Sequence, residues 1–516
     1  MSLRDGVIDG DLQTYYRSLL EEAGDDEVFV TQSGSYSGVQ ALGLCEGIRD
    51  ELIRRGFKPN EYCAYGGSDD IGMVAAAFGI ALAGGASFGL QNYVGADSWT
   101  RFIRDTGARF VVCESFIVEK LRDRLLEAGC EVEFIEITAQ GSILAPTGSE
   151  AFEDRHVSYD DASVVRFTAG RAGAAQGIVL SHRAQFYSLA KMAAVYGQRE
   201  RGRYLQLTPT TDVQGIGMLV AALFRRETVI IYWGKPTTEG IVRAMEQHRI
   251  TDLFLPSSQM VKLARSDAAA MADLSALDRF VYGGQKVSAE DIMDAYDLLD
   301  CDFAQIYGST ETGLLMWLSP EDHRKGDSKV FDSAGVKVPF AGTEVIVQDP
   351  RTGEEMPPGE VGHVVTKNPS VCVQTLGYDA PVEVVDGWRD TLDQGYFDEE
   401  GYLHIVGVSR DVILYRGFVM YAFDVEKVLL DMDGVRAAVA HPISDAADGE
   451  HIFVWVALDE GVQYTEEQLG SELEVVRGPW YRPSRIQIVD EIPDRDASGA
   501  YDKQKLRERA EAIMAQ

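Results

Sequence analysis

GWRDTLDQGYFDEEGYLHIVGVSRDVILYRGFVMYAFDVE, residues 387–426, is the stretch on which the organisation of this chain turns. Asp393 falls where a turn is expected, and its carboxylate could accept hydrogen bonds from two neighbouring hydroxyls. DEEGYL (398–403) carries a hairpin signal between two short alternating runs. Beyond it the texture changes with no Pro-rich or Ser-rich linker, so any joint is short and lies near Gly407–Asp411.

Working back from that joint, VKVPFAGTEVIVQD, GEVGHVVTK and GYLHIVG, between about 330 and 407, alternate apolar and polar residues and predict a small β-rich subdomain. Earlier still, YLQLTP (204–209), TVIIYW (228–233), TDLFLP (251–256) and RFVYGG (279–284) are apolar runs of strand length. Helical windows at Glu239–His248 and Ala289–Leu299 separate some of them. The first 150 residues repeat the rhythm, with a helix over Gly38–Arg55 and strands in YCAYGG (62–67), ARFVVCES (108–115) and VEFIEIT (132–138). Strands alternating with helices predict parallel sheets covered by helices, with ligands at strand C-termini. Forward of the joint, helices near Asp424–Met432 and Glu466–Gly470, with strands in RAAVAHPI and HIFVWVAL, predict a compact αβ unit. The fold class is therefore α/β: a large N-terminal domain of two αβ subdomains and a β-rich one, then a small αβ C-terminal domain. The expected boundaries are 1–407, a hinge at 408–411, and 412–516.

The whole chain fits this division. Its 516 residues are too many for one ordinary domain. Apolar residues at 45% and charged residues at 25% describe a globular protein and exclude a disordered one. A net charge of −34 argues against nucleic acid and against anionic membrane surfaces. It also makes any polyanionic ligand dependent on local cations. The six cysteines form no CxxC pair and no zinc-ligand rhythm, so reduced, buried thiols in a cytoplasmic protein are expected. No signal peptide is read at MSLRDGVIDGD. MVAAAFGIALAGGASFGL (73–90) has the length of a membrane span, but Gly84-Gly85 breaks it. A buried helix followed by a buried strand is the expectation.

Two further segments carry chemistry. FTAGRAGAAQGIVLSH (167–182) is glycine-rich between a strand and a helix starting near His182, an arrangement that presents backbone N–H groups to an anion. It lacks the Gly-Lys-Ser/Thr of a P-loop, and a plain turn is the alternative. YGSTETG (307–313) offers an aromatic face at Tyr307 and a hydroxyl and carboxylate at Thr310 and Glu311; taken alone, it reads equally as a helix N-cap.

In this order and spacing, the three segments resemble the adenylate-forming superfamily of acyl-CoA synthetases, luciferase and peptide-synthetase adenylation domains. The resemblance runs from Tyr36 to Leu506. It implies a small domain that rotates between a pose for activating a carboxylate with ATP and a pose for forming a thioester with a pantetheine thiol. It implies adenylate contacts from Gly283, Gly284, Gln285, Tyr307, Gly308, Ser309, Thr310, Glu311 and Asp393, with Glu311 near a metal position. Arg410 occupies the hinge position, and Gly417 that of the pantetheine channel. Asp212, Val213, Tyr282 and Leu314 are the expected acyl-pocket residues. Asp212 stands where the family has a histidine or aromatic gate, and a carboxylate there would repel a free acid; an exposed loop aspartate is the alternative.

The departures from the family pattern decide what is expected of the chemistry. The family loop Thr-Ser-Gly-Thr-Thr-Gly-x-Pro-Lys-Gly reads here Thr168-Ala169-Gly170-Arg171-Ala172-Gly173-Ala174-Ala175-Gln176-Gly177. The glycines persist, while the phosphate-gripping hydroxyls and the lysine do not. Near the C-terminus, Ala500 follows Gly499 where the family places the lysine that bridges carboxylate and α-phosphate. Losing such a donor removes about 3 kcal/mol of transition-state stabilisation, on the order of 10²–10³ in rate. The joint's Gly-Arg is Gly407-Val408, and Thr-Gly-Asp is Thr391-Leu392-Asp393.

Such a chain is expected to hold acyl-adenylate or AMP and to use CoA as co-substrate, with Mg²⁺ dispensable for the thioester step and a separate ligase supplying the adenylate. Within the family it looks like the non-adenylating, thioester-forming ligases of platensimycin-type diterpenoid biosynthesis. Other readings stay open. One is a complete ATP-dependent synthetase, with Arg171 and Lys503 as substitutes or with an engineered alanine at 500. A second replaces CoA with a carrier-protein acceptor, and a third is a non-catalytic adenylate binder.

Overall fold

The computed structural model describes residues 12–92, 94–168, 176–197, 201–284, 286–349, 352–372, 374–376, 384–408, 412–415, 418–445, 449–493 and 503–514. Two large sheets dominate. In the first, Ala162–Thr168, Ala86–Gly89, Tyr62–Gly66, Phe110–Cys113 and Glu133–Glu136 lie side by side and parallel. Gln176–Ser181 and Gln374–Leu376 extend it with antiparallel pairs.

The apolar stretch at 73–90 becomes the helix Ile71–Leu82, every residue of which is buried, and the buried strand Ala86–Gly89. Asp70 caps the helix, accepting from the Ile71 N–H at 2.7 Å. Gly79 lets this helix meet Gly38–Arg54 closely, since a Cβ there would stand 2.8 Å from the Cys45 carbonyl oxygen. Among the described residues no helix is long and apolar enough to cross a membrane. All six cysteines are free thiols, four of them buried.

The second sheet has nine strands. Its parallel centre is Arg203–Gln206, Thr228–Ile231, Asp252–Pro256, Arg279–Gly283 and Asp302–Ser309, and antiparallel Gly313–Leu318 and Val336–Lys337 close one end. The other end is completed by Glu27–Thr31 and Gly34–Ser37, so the beginning of the chain is built into the second sheet. Helices His182–Tyr196 and Val213–Phe224 help fill the space between the sheets, where Tyr65, Val112, Phe186, Leu219, Val281 and Ala304 share one core. Separate cores lie on the outer faces.

A third sheet, Glu344–Gln348, Gly362–Lys367, Trp388–Phe397 and Val384–Val385 with Leu403–Val408, is the expected β-rich subdomain. The next described strand, Val412–Tyr415, already belongs to the C-terminal sheet with Phe418–Tyr421, Gly449–Leu458, Val435–Asp445 and Arg485–Val489. The chain therefore changes sheets between Val408 and Val412. Helix Glu466–Arg477 of the small unit packs on Ala96–Thr106 of the large one. Asp424 pairs there with Arg477 at 3.0 Å, and burial pushes its carboxyl up to about 7.

Three local expectations are corrected. The glycine-rich segment does not run from strand straight to helix. It joins an antiparallel hairpin, Ala162–Thr168 with Gln176–Ser181, and Ser181 then caps the helix His182–Tyr196. YGSTETG starts no helix: it ends one strand and turns into the antiparallel Gly313–Leu318. Asp393 sits inside the ten-residue strand Trp388–Phe397 and not in a turn.

Candidate active site

Strand Asp302–Ser309 and strand Trp388–Phe397 come from different sheets and bring Tyr307 and Asp393 together. The Tyr307 hydroxyl donates to Asp393 Oδ2 at 2.5 Å. Burial pushes the Asp393 carboxyl up to about 6, against the lowering effect of that hydrogen bond. Burial and the neighbouring carboxylate push the Tyr307 phenol well above its ordinary value. Asp393 is held in place locally: its N–H donates to Thr391 Oγ1 at 3.1 Å, and the Leu392 N–H donates to Asp390 Oδ1 at 2.7 Å. Leu392 adopts φ +73°, a left-handed conformation, at the position where the family has glycine.

The turn after Tyr307 is tied from several sides. Ser309 N–H donates to Thr312 Oγ1 at 3.2 Å. Gly308 has no room for a side chain, because a Cβ would come within 2.1 Å of the Gly313 carbonyl oxygen. The Cys372 N–H donates to the Glu311 carbonyl at 3.1 Å. Beneath the turn lies Lys191 of helix His182–Tyr196, fully buried. Its Nζ donates to the Leu314 carbonyl at 3.2 Å and to Asn368 Oδ1 at 3.1 Å, while Asn368 Nδ2 donates to the Thr312 carbonyl at 3.4 Å. Burial pushes the Lys191 ammonium down to about 7. Thr310 and Glu311 thus stand on a turn anchored to a helix and to the β-rich subdomain.

Gly283 ends its strand against the next one, where a Cβ would lie 2.5 Å from the Ile306 carbonyl oxygen, and Gly284 turns away at φ +90°. Gly177 is in the hairpin strand opposite Phe167. Thr168 and Gln176 pair in register at the base of the loop.

On the acyl side, Asp212 caps helix Val213–Phe224 and accepts from the Gln214 N–H at 2.8 Å. Gln91 Nε2 donates to its other oxygen at 3.3 Å. A helix N-terminus compensates a carboxylate, and the Arg166 guanidinium contributes opposite charge. Asp212 is thus a half-buried helix cap and not an exposed loop residue. The expectation for Tyr282 is also corrected. Phe280 and Tyr282 point to the outer core, where the Tyr282 hydroxyl is 2.9 Å from His323 Nε2, while Val281 faces the space between the sheets. Tyr282 therefore packs the outer core instead of lining an interlayer acyl pocket. Leu314 is in the interlayer core. Gly170, Arg171, Gly173, Gln285, Arg410, Gly417 and Ala500 lie outside the described residues, as does the side chain of Val213.

Reading the sequence missed Lys191 and Arg166. The signal available was a single cation inside an apolar run in each case, SLAKMAAV and SVVRFT. Among the described residues no group of three or more His, Cys, Asp or Glu could hold a metal by itself. Mg²⁺ commonly uses one or two carboxylates together with substrate phosphates, and Glu311 is the carboxylate that the resemblance implies for it.

Residues 19–378 match the AMP-binding enzyme family, and residues 424–499 match the AMP-binding enzyme C-terminal domain. The chain belongs to the AMP-binding enzyme family. It is thus a member of the adenylate-forming ligases, with that family's large and small domains. A fatty acid–[acyl-carrier-protein] ligase of Streptomyces coeruleorubidus is 28% identical over 480 residues, covering 90% of this chain and 89% of the relative. A feruloyl-CoA synthase of an Amycolatopsis species is 26% identical over 470 residues, covering 90% and 91%. The structure of the amide bond synthetase McbA from Marinactinospora thermotolerans superposes with a TM-score of 0.86 at 25% identity, over 96% of this chain and 99% of that one.

Proposed function

We propose that this AMP-binding enzyme carries out mainly or only the second half-reaction of its family, moving an acyl group from a preformed acyl-adenylate to the thiol of CoA. The sulfur forms a bond to the acyl carbon, the carbon–oxygen bond to the phosphate breaks, AMP leaves with the electron pair, and the thiol proton passes to solvent. The observation that carries this reading is the selective loss along the sequence. Ala169, Ala172, Gln176 and Ala500 replace residues that manage pyrophosphate and the adenylation step, while Tyr307, Thr310, Glu311 and Asp393 are kept.

A mixed anhydride is already activated, so the remaining tasks are to position the thiol and stabilise charge on the carbonyl oxygen. The anchored 309–314 turn and the Tyr307–Asp393 pair would hold the adenylate, and Gly417 would line the pantetheine channel after rotation at Arg410. The domain division 1–407, 408–411 and 412–516 belongs to this proposal. A separate adenylating ligase would supply the substrate, as in the platensimycin-type pathways whose thioester-forming ligases this sequence resembles.

A complete synthetase is the second reading. It is favoured by relatives whose names describe whole ligase reactions, one of them using an acyl-carrier protein. Supplying synthetic acyl-adenylates with CoA, and separately ATP with free acids, distinguishes the two. Thioester from the adenylates without pyrophosphate from ATP supports the proposal; prompt pyrophosphate release from ATP and an acid contradicts it.

A further inference from the structure

Arg166 stands in strand Ala162–Thr168, two residues before the point where the chain enters the glycine-rich loop. Alternation along the strand sends Val165 to the outer core and Val164 to a cluster with Ile178, Leu180, Ala184 and Cys372. Arg166 shares the face of Val164. Its electrostatic surroundings name its place: Asp212, Glu311, Cys372 and Tyr16 all act on its guanidinium. The resemblance puts Asp212 on the acyl side and Glu311 on the nucleotide side, and Arg166 is within electrostatic reach of both.

The guanidinium is poorly satisfied for such a place. It has five donors in a fixed fork. Among the described residues its one hydrogen bond is long, from Nη2 to Gln185 Oε1 at 3.4 Å. Its Nε is buried and has no partner among the described residues. Neither Asp212 nor Glu311 closes on it as an ion pair. Asp212 is occupied as a helix cap with Gln91. A guanidinium nitrogen that is buried without an acceptor is costly unless something else accepts from it.

We propose that Arg166 is an anion-holding residue at the junction of the nucleotide and acyl sites, taking an anionic oxygen of the bound acyl-adenylate. Two oxygens have the required chemistry, the phosphate of the nucleotide and the acyl carbonyl as charge develops on it. In either case a cation fixed to the N-terminal domain supplies charge that Gln176 and Ala500 do not, and it does so whichever pose the small domain adopts. The inference rests on the reading of the protein as an adenylate-handling enzyme.

The test compares wild type, R166M and R166K, each checked for folding by thermal unfolding. R166K keeps the charge where R166M removes it. Binding of AMP and of adenosine is measured by calorimetry, and thioester formation is measured from synthetic benzoyl- and hexanoyl-adenylates with CoA. If Arg166 holds the phosphate, R166M lowers AMP affinity about tenfold or more, leaves adenosine affinity unchanged, and R166K recovers part of the loss. If it holds the carbonyl oxygen, the AMP-to-adenosine ratio stays constant and kcat falls by on the order of 10² with little change in KM. A folded R166M that changes neither overturns the inference and leaves the adenylate reading standing. Wild type that binds no AMP sinks the adenylate reading and the inference with it.

Discussion

The Tyr307 hydroxyl donates to Asp393 at 2.5 Å across the boundary between the nine-stranded sheet and the β-rich sheet. The two residues expected to meet the adenine and the ribose are thus already coupled. If Asp393 holds the ribose, as the resemblance implies, the raised carboxyl makes nucleotide binding depend on pH. Asp393 must be ionised to accept from two ribose hydroxyls, and burial has raised it to about 6. The affinity for adenosine, which is free of the AMP phosphate's own titration at about pH 6, should therefore fall as pH drops from 7 to 5. Removing the Tyr307 hydroxyl removes a hydrogen bond that favours the carboxylate, so Y307F should move the fall to higher pH. D393N should bind adenosine weakly and with little pH dependence over this range. Calorimetric titration at several pH values checks all three; a flat wild-type profile would contradict the assignment of Asp393.

Lys191 gives a second pH-dependent prediction, this time for stability. Its ordinary value of 10.5 falls to about 7 in the folded chain. Between those values the unfolded chain holds a proton that the folded one lacks, so this site's contribution to stability rises as pH increases through the window. Below pH 7 the ammonium is charged in both states and the full cost of burying it is felt. The stability of wild type relative to K191M should thus shift in favour of wild type between pH 7 and pH 10 in urea unfolding. A difference that stays constant with pH would show that Lys191 is not neutralised by burial.

Leu392 supplies a third. A non-glycine residue in the left-handed region costs about 1–2 kcal/mol, and Leu392 is held there at φ +73°. Part of that relief is lost to the greater freedom of glycine in the unfolded chain. L392G should raise the stability of the domain by roughly 1 kcal/mol without weakening AMP binding. A destabilised L392G would mean that contacts of the leucine side chain outweigh the backbone strain.

Much of the architecture was legible in the sequence because its signals are local. The apolar runs at 62–67, 110–113, 228–231 and 252–256 became buried parallel strands, and Gly84-Gly85 split helix from strand as its backbone freedom requires. What the sequence concealed depends on partners far along the chain. YGSTETG has the composition of a helix cap, yet pairing with Gly313–Leu318 makes it a hairpin. Tyr282 and Val281 are adjacent and similarly apolar, and only the sheet's position between two cores sends one outward and the other inward. Asp212 was placed by its match to the family's Pro-x-x-His, and its cap role appears only with the helix that follows and Gln91 in place. Lys191 and Arg166 were hidden because a lone cation in an apolar run gives no sign of its partners.

With Gln176 and Ala500 where the family has lysines, the chain is proposed to keep thioester formation and to lose adenylation. This is tested most directly by measuring pyrophosphate release from ATP with a panel of acids for wild type and for the double variant Q176K/A500K, alongside thioester formation from synthetic adenylates. Wild type should form thioester and release no measurable pyrophosphate. The double variant should release pyrophosphate, since each restored donor contributes on the order of 10²–10³ in rate. Rapid pyrophosphate release by wild type, unchanged in the double variant, would contradict the claim and show that the chain completes the whole ligase reaction with other cations.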